Sequence, residues 1–352
     1  MKKEKEYIFI TDGYRGGANT FMNDHMEYLI SKKQKVILFD QNPNKTFEKL
    51  NKKISVHQIN LKINKQSIIK NLRDRIAFNK RKKIFLMITN YAYLIKFHSF
   101  FKSLDKDKVK IILTIHSGIF NLNIKRYIAG FVFSLIYRQA DYLFFGSKSS
   151  KLWWKKMYPW MNLKNSLIHL NGIKLNKKIT ARKINKNIQI SFAGRIEKEN
   201  NPEFFLKIAL EYLENDNNVT FNVFGDGPLL KILKQKYKKK NIIFHGWVKK
   251  EKIYKITNVI VITSPINNFP YVALEAKSYG IPVVSCSKGD IKKIVINNID
   301  GYLDYTNCVK KMVYLIKKIK KNYNKFSKNS LIRSKHYDLN NSCKKFWNSV
   351  ND

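Results

Sequence analysis

Residues 258–304, NVIVITSPINNFPYVALEAKSYGIPVVSCSKGDIKKIVINNIDGYLD, restrict the possible folds more than any other stretch of the chain. A β-branched run at 259–263 predicts a strand. A turn holding Pro265 and Pro270 follows, then a helix over 271–279 and a second apolar strand over 282–285 that stops before Gly289. The unit is strand, helix, strand. In open α/β sheets a ligand sits beyond the carboxyl ends of the strands, and the first amides of the following helix are unpaired donors suited to a phosphate. The turn at 267–271 is therefore a candidate site for an anionic ligand.

The same pattern recurs along the chain. Apolar strands are expected at 7–10, 35–40, 54–59, 83–89, 110–115, 142–146, 188–192, 220–224 and 242–244, with helices between several of them. Many end in glycine: Gly16 and Gly17 after the first, Gly194 before Arg195, Gly225 and Gly227 around Asp226, Gly246 before Trp247. Tight crossovers at strand ends fit a doubly wound α/β sheet. The strand at 110–115 delivers His116 to its carboxyl end, at the mouth of the sheet rather than in its core. A length of 352 residues is enough for two domains with real cores, and the polar, basic run 174–187 between two strand-rich halves marks the boundary.

Composition narrows the partners. With 68 Lys and Arg against 25 Asp and Glu, the net charge of +43 attracts nucleic acid, an anionic membrane or phosphorylated substrates. No finger spacing, aromatic RNP-like strand or GXXG loop is present, so no specific nucleic acid is expected. Cys286, Cys308 and Cys343 have no metal-like spacing, and Asp105-Lys106-Asp107 lies among lysines ahead of a strand, so no metal site is expected. The N-terminal apolar run is read as the first strand, not a signal peptide. The almost wholly apolar 127–137 is too short to span a bilayer and is expected as a buried helix. Trp153, Trp154, Met157, Tyr158, Trp160 and Met161 alternate with five lysines between Lys148 and Lys164. That mixture suits an anionic membrane interface, an aromatic acceptor cleft or plain core packing.

Residues 258–304 resemble the donor-binding segment of retaining GT-B glycosyltransferases, glycosyltransferase family 4 (glycosyl transferases group 1). Phe269, Pro270, Glu275, Ala276, Gly280, Pro282, Val283 and Val284 match that segment in order, while Asn267 stands where the family has its first glutamate and Asn268 where it has a glycine. Gly225-Asp226-Gly227-Pro228 is similar to the family's Gly-x-Gly-Pro turn, Gly194-Arg195 to its phosphate-gripping Gly-Arg, and Asn171-Gly172-Ile173 to its domain junction. Asn200 replaces the lysine usual five positions after the arginine.

The resemblance implies an α/β GT-B architecture of two Rossmann-like doubly wound domains facing a central cleft. Its N-terminal domain would span 1–173, a linker 174–187, the nucleotide-sugar domain 188–330, and a terminal helix in 331–352 would cross back to the first domain. It implies a metal-independent, configuration-retaining transfer from a UDP- or GDP-sugar to a glycan or lipid-linked acceptor in cell-envelope synthesis, at the inner face of the cytoplasmic membrane. No cofactor beyond the donor substrate is implied. Arg195, His116 and Asn267 would act at the reacting sugar and diphosphate. Gly16, Gly17, Gly194, Lys198, Gly225, Gly227, Gly246, Trp247, Phe269, Pro270, Tyr271, Val272 and Glu275 would line the donor, with Glu275 on the ribose. A non-catalytic sugar-nucleotide-binding protein and a sugar-nucleotide epimerase of the same plan are the alternatives.

Overall fold

The computed structural model describes residues 4–11, 16–40, 54–58, 65–78, 82–116, 124–175, 179–184 and 187–351. It divides into two compact units: Met1–Leu170 with Ser342–Asp352, and Asn171–Asn341.

The first unit contains β1 (Lys5–Thr11), α1 (Gly17–Ser31), β2 (Lys35–Asp40), β3 (Ser55–Gln58), α2 (Lys65–Phe78), β4 (Lys83–Ile88), α3 (Tyr91–Lys96), α4 (His98–Lys102), β5 (Val109–Ile115), α5 (Ile124–Ile136), β6 (Tyr142–Phe145), α6 (Lys148–Met157) and β7 (Leu167–Ile168). Its strands form one parallel sheet in the order β3-β2-β1-β4-β5-β6-β7. The central strands, YIFI in β1, KIFLMI in β4 and VKIILTI in β5, are apolar without alternation because helices cover both faces of the sheet. Ile8, Leu86, Ile111 and Leu113 pack with Phe97, Phe101 and Trp154 on one side. On the other, Trp347 meets Tyr7 edge-on at 5.0 Å.

The second unit contains β8 (Ile188–Ala193), α7 (Pro202–Leu213), β9 (Val219–Phe224), α8 (Leu230–Lys236), β10 (Ile242–Gly246), α9 (Lys250–Ile256), β11 (Val259–Ile262), α10 (Tyr271–Ser278), β12 (Val283–Ser285), α11 (Ile291–Ile294), β13 (Gly301–Leu303), α12 (Val309–Lys321) and α13 (Tyr323–Ser334). The last helix, α14 (Leu339–Asn351), begins in this unit and has Ser342 onward in the first. The second sheet is also parallel, in the order β10-β9-β8-β11-β12-β13. Each sheet grows outward in one direction and then restarts on the far side of its first strand, between β1 and β4 and between β8 and β11. This reversal defines two Rossmann-like units of a GT-B chain.

One expectation is overturned. The apolar run at 127–137 is a helix, but not a buried one. Only Gly130, Phe133 and Ser134 of α5 are buried, while Ile124, Tyr127, Ile128, Phe131 and Leu135 face outward. The tryptophan-lysine segment is mostly core: Trp154, Tyr158 and Met161 have no exposed surface, Trp153 packs against the core, and Trp160 alone of the tryptophans there is exposed. Residues 331–341 group with the second unit and 342–352 with the first. Arg182, inside the expected linker, is fastened to the second unit, its backbone N–H donating to Ser327 Oγ at 2.8 Å and its guanidinium to the carbonyls of Lys255 and Thr257. Helices α12 and α13 meet at Asn322, where Tyr323 turns inward to donate to the Asn258 carbonyl at 3.1 Å.

Candidate active site

In the second unit the order reversal puts the carboxyl ends of β8 and β11 side by side. The β8 end carries Gly194 and Arg195, and the β11 end carries residues 263–270 leading into α10. Thr263 Oγ1 donates to the Asn200 carbonyl at 3.0 Å, tying the two loops together. Asn200 also closes the first loop on itself, its side-chain amide donating to the Arg195 carbonyl at 2.9 Å. It thus braces the arginine's backbone where a lysine would have supplied charge. Lys198 lies in the short 3-10 turn of the same loop and is exposed.

The Arg195 side chain is 68% exposed and meets Glu197 at 2.8 Å. An ion pair this open contributes little and yields readily to a stronger anion. A diphosphate is such an anion, and Arg is the side chain suited to it by geometry.

The neighbouring loops are packed so closely that glycine is required. At Gly225, with φ 134, a Cβ would sit 1.8 Å from the Gly194 carbonyl oxygen. At Gly227, with φ 155, it would sit 2.5 Å from the Ile196 carbonyl oxygen. Gly194 N–H donates to the Phe224 carbonyl at 3.0 Å and Gly225 N–H to that of Gly246 at 2.8 Å, so the ends of β8, β9 and β10 form one continuous floor. Trp247 follows Gly246 and is 53% exposed.

At the β11 end, Asn267 turns its amide nitrogen toward Ser264 Oγ and Ser287 Oγ, the latter at 3.1 Å, so that nitrogen is committed to bracing its own loop. Phe269 holds φ 68, costly for an aromatic residue. It is retained by burial against Tyr337, with ring centroids 5.7 Å apart, and by Asn171 Nδ2 donating to its carbonyl at 3.1 Å. Pro270 caps α10, and the first-turn amides at Tyr271 and Val272 are those that a helix leaves without intrahelical partners. One turn on, Glu275 accepts from Lys250 Nζ at 3.1 Å through Oε1 and from Tyr254 Oη at 2.8 Å through Oε2. Burial, and then the Glu275 carboxylate, push the Tyr254 hydroxyl well above its ordinary range, so it remains a donor. Lys250 and Tyr254 went unrecognised in the sequence, although their i, i+4 spacing on α9 puts both on one face. A third unrecognised feature lies behind α10, where fully buried Lys277 and Arg333, at 2.6 Å, converge on the Asp300 carboxylate. Burial lowers the Lys277 ammonium to about 8 despite that carboxylate.

In the first unit Gly16 is the extended residue before α1, and Gly17 is the first residue of that helix. Residues 12–15 and 117–118, which flank the expected glycine loop and histidine segment, lie outside the described residues. His116 stands at the end of β5, with Nε2 3.1 Å from Thr114 Oγ1 and its ring 4.5 Å from that of Phe21. Burial lowers its pKa to about 4, so it is neutral at pH 7 and offers one donor and one acceptor. Sequence reasoning did not find its companions. His25 and His169 lie 5.4 Å apart between Phe21 and Phe346, and Ser342 Oγ is 3.2 Å from His169 Nε2. Among the described residues no cluster of three or more His, Cys, Asp or Glu is placed to hold a metal ion.

Residues 174–333 match the family model for glycosyl transferases group 1. The match lies wholly within the second unit, which is similar to the glycosyltransferases of that group. A 41.2 kDa protein encoded in the cps region of Klebsiella pneumoniae is 24% identical over 258 residues, 67% of each chain. The Escherichia coli UDP-Gal:alpha-D-GlcNAc-diphosphoundecaprenol alpha-1,3-galactosyltransferase is 30% identical over 142 residues, 38% of this chain and 36% of that enzyme. In fold, the chain resembles Anabaena Alr3699/HepE in complex with UDP-glucose, with a TM-score of 0.79 and 13% identity over 98% of this chain and 99% of that one.

Proposed function

We propose that this glycosyltransferase moves a hexosyl group, with retention of anomeric configuration, from a UDP-sugar to a lipid-linked saccharide during synthesis of a cell-envelope polysaccharide. The UDP-glucose and UDP-galactose named for similar proteins support the donor, and the diphosphoundecaprenol-linked substrate of the Escherichia coli enzyme supports the acceptor and its meeting at a membrane surface. The observation that carries the reading is the tied pair of loops at the β8/β11 reversal, which sets a yielding arginine beside the amino end of α10.

The bond between the sugar's anomeric carbon and the diphosphate oxygen breaks, and a bond to the acceptor oxygen forms on the same face. The acceptor's proton passes to the departing phosphate oxygen, so no protein nucleophile is needed. Arg195 and the Tyr271 and Val272 amides meet the charge that grows on the diphosphate, the main electrostatic requirement of such a transfer. Lys198 supplements that charge. Glu275 accepts from the ribose hydroxyls by exchanging Lys250, the weaker of its two partners, while Tyr254 holds the carboxylate in place. Trp247 and Gly246 flank the base. The Asn267 loop lies beside the sugar.

The deciding experiment offers UDP- and GDP-sugars to the purified protein with a membrane lipid extract, reading nucleotide release and label transfer together. UDP release with label entering the lipid fraction is expected. Transfer from GDP-sugars alone would overturn the donor assignment, and tight UDP binding without turnover on any acceptor would overturn the catalytic one.

Glu275→Gln keeps an acceptor for Tyr254 but loses the charge. Loss of a charged hydrogen bond of about 1.5–3 kcal/mol predicts donor binding weakened by roughly 10- to 100-fold. The effect should appear in the Kd for UDP by calorimetry and in KM, with kcat held within a few-fold; unaltered UDP affinity removes Glu275 from the ribose.

A further inference from the structure

Helix α5 carries an apolar stripe that its own unit does not cover. Ile124, Tyr127, Ile128, Phe131 and Leu135 follow one another at helical spacing on one face, with Ile124 78% and Leu135 61% exposed. Trp160 extends the stripe from another segment. It is 52% exposed, its ring stands edge-on to Phe131 at 5.8 Å, and its indole N–H donates to Ser134 Oγ at 3.0 Å. The ridge is fixed from behind. Phe133 is buried, 5.1 Å from the Trp154 ring, and Tyr158 Oη donates to the Tyr127 carbonyl at 3.2 Å, so α5 cannot roll its stripe inward. Single exposed apolar side chains are ordinary, but a contiguous, held ridge of them marks a surface that meets something.

Charge identifies the occupant. Residues 124–164 contain eight Lys and Arg and one acid, Asp141, which is already occupied by Lys106 and the Ile111 N–H. Of these cations, Lys125, Arg138, Lys156 and Lys164 are exposed, and Lys125 is on α5 itself. A second copy of this chain would bring the same cations face to face, because a twofold interface pairs a patch with itself. An anionic bilayer takes both features at once, apolar side chains at the acyl boundary and ammonium groups among the headgroups. Among the described residues no helix is long and apolar enough to cross a membrane, so contact of this kind is with the surface.

We propose that the exposed face of α5, with Trp160, is an interfacial membrane-binding ridge that seats the first unit on anionic lipid. The assignment rests on the reading of a lipid-linked acceptor, which it deepens by naming the surface that would bring the enzyme to it. It also replaces the buried Trp154 and Tyr158 with side chains that can reach a bilayer.

The test is co-sedimentation with vesicles of phosphatidylcholine alone and of phosphatidylcholine with phosphatidylglycerol, comparing the wild type with the double variant Ile128→Gln, Phe131→Gln. Both side chains are exposed, and an unchanged melting temperature will verify that the variant folds. Wild-type binding to the phosphatidylglycerol vesicles is expected to weaken in high salt, and the variant to bind at least about tenfold more weakly, given the apolar area lost from the lipid boundary. Ile332→Gln, on the second unit, should bind as the wild type does. Full retention by the double variant, absence of wild-type binding to anionic vesicles, or equal binding to neutral ones would each overturn the proposal. Turnover with a short-chain, water-soluble acceptor separates this idea from the reading beneath it. The double variant should keep that activity, whereas a wild type that binds vesicles but transfers nothing would sink the proposed reaction and leave the ridge standing.

Discussion

Arg195→Ala is expected to lower kcat by about 10²- to 10³-fold, the size of effect seen when one donor aimed at developing charge is removed. Arg195 contributes almost nothing to folding, because its pair with Glu197 is open to solvent, so the variant should melt within about 0.5 kcal/mol of the wild type. What it loses is a cation at the carboxyl end of β8, beside the loop that opens α10. The diphosphate gains charge as the glycosidic bond breaks, so the loss falls on the transition state more than on the bound donor. Transfer assays at saturating donor should therefore show the kcat effect with UDP affinity changed by less than about tenfold, a partition that separates stabilisation of the leaving group from simple binding. Arg195→Lys should recover part of the rate, since an ammonium restores charge but not the two-pronged geometry. Undiminished turnover in the alanine variant would move the phosphate site elsewhere.

The second unit was the more legible half because its signals are local. In residues 258–304 the change from β-branched run to helical spacing and back occurs within a few residues, so strand, helix and strand could be read within one or two positions of their ends. Gly225 and Gly227 were likewise readable, since a carbonyl pressed against each α-carbon admits no side chain there. Contacts between distant segments were not. Glu275 shows its carboxylate in the sequence but not that Tyr254 and Lys250 already hold it. Asn267 invited a place beside the sugar, yet its amide nitrogen is turned to two serines, one of them twenty positions away. Helix α5 was misread for a different reason. An apolar run reports that water is unfavourable around it, not which neighbour removes the water. The residues it turns inward include Gly130 and Ser134, whose small size admits close packing, while larger apolar side chains remain outside.

The histidines of the first unit were hidden in the same way, spread over 25, 116 and 169 and joined only by the fold, and they give it a strong acid dependence. Burial lowers all three below the ordinary 6.5: His116 to about 4, His169 to about 3, and His25, surrounded by aromatic rings, well below its usual value. In the unfolded chain they take up protons near pH 6.5, and in the folded unit they do not. Between pH 6.5 and about 4 the unfolded state therefore binds more protons, and stability falls as pH falls, by about 1.4 kcal/mol per pH unit for each histidine. The three act in the same direction, so the first unit loses stability steeply as the pH falls below 6.5. Carboxylates held below their usual value, such as Glu203 and Asp216 of the second unit, lose their contribution only at lower pH, because the unfolded groups titrate near 4.5 and 3.8. Tryptophan fluorescence follows the event, since Trp153, Trp154, Trp160 and Trp347 lie in the first unit and Trp247 alone in the second. Its transition is expected to begin above pH 4.5. His25 Nδ1 is buried with no hydrogen-bond partner among the described residues, so His25→Phe preserves the ring packing against Phe21 and Phe346 and removes one of the three protons. That variant should flatten the pH dependence by about 1.4 kcal/mol per unit. An unchanged slope would show that His25 does not remain neutral in the folded unit, and that acid enters through another group.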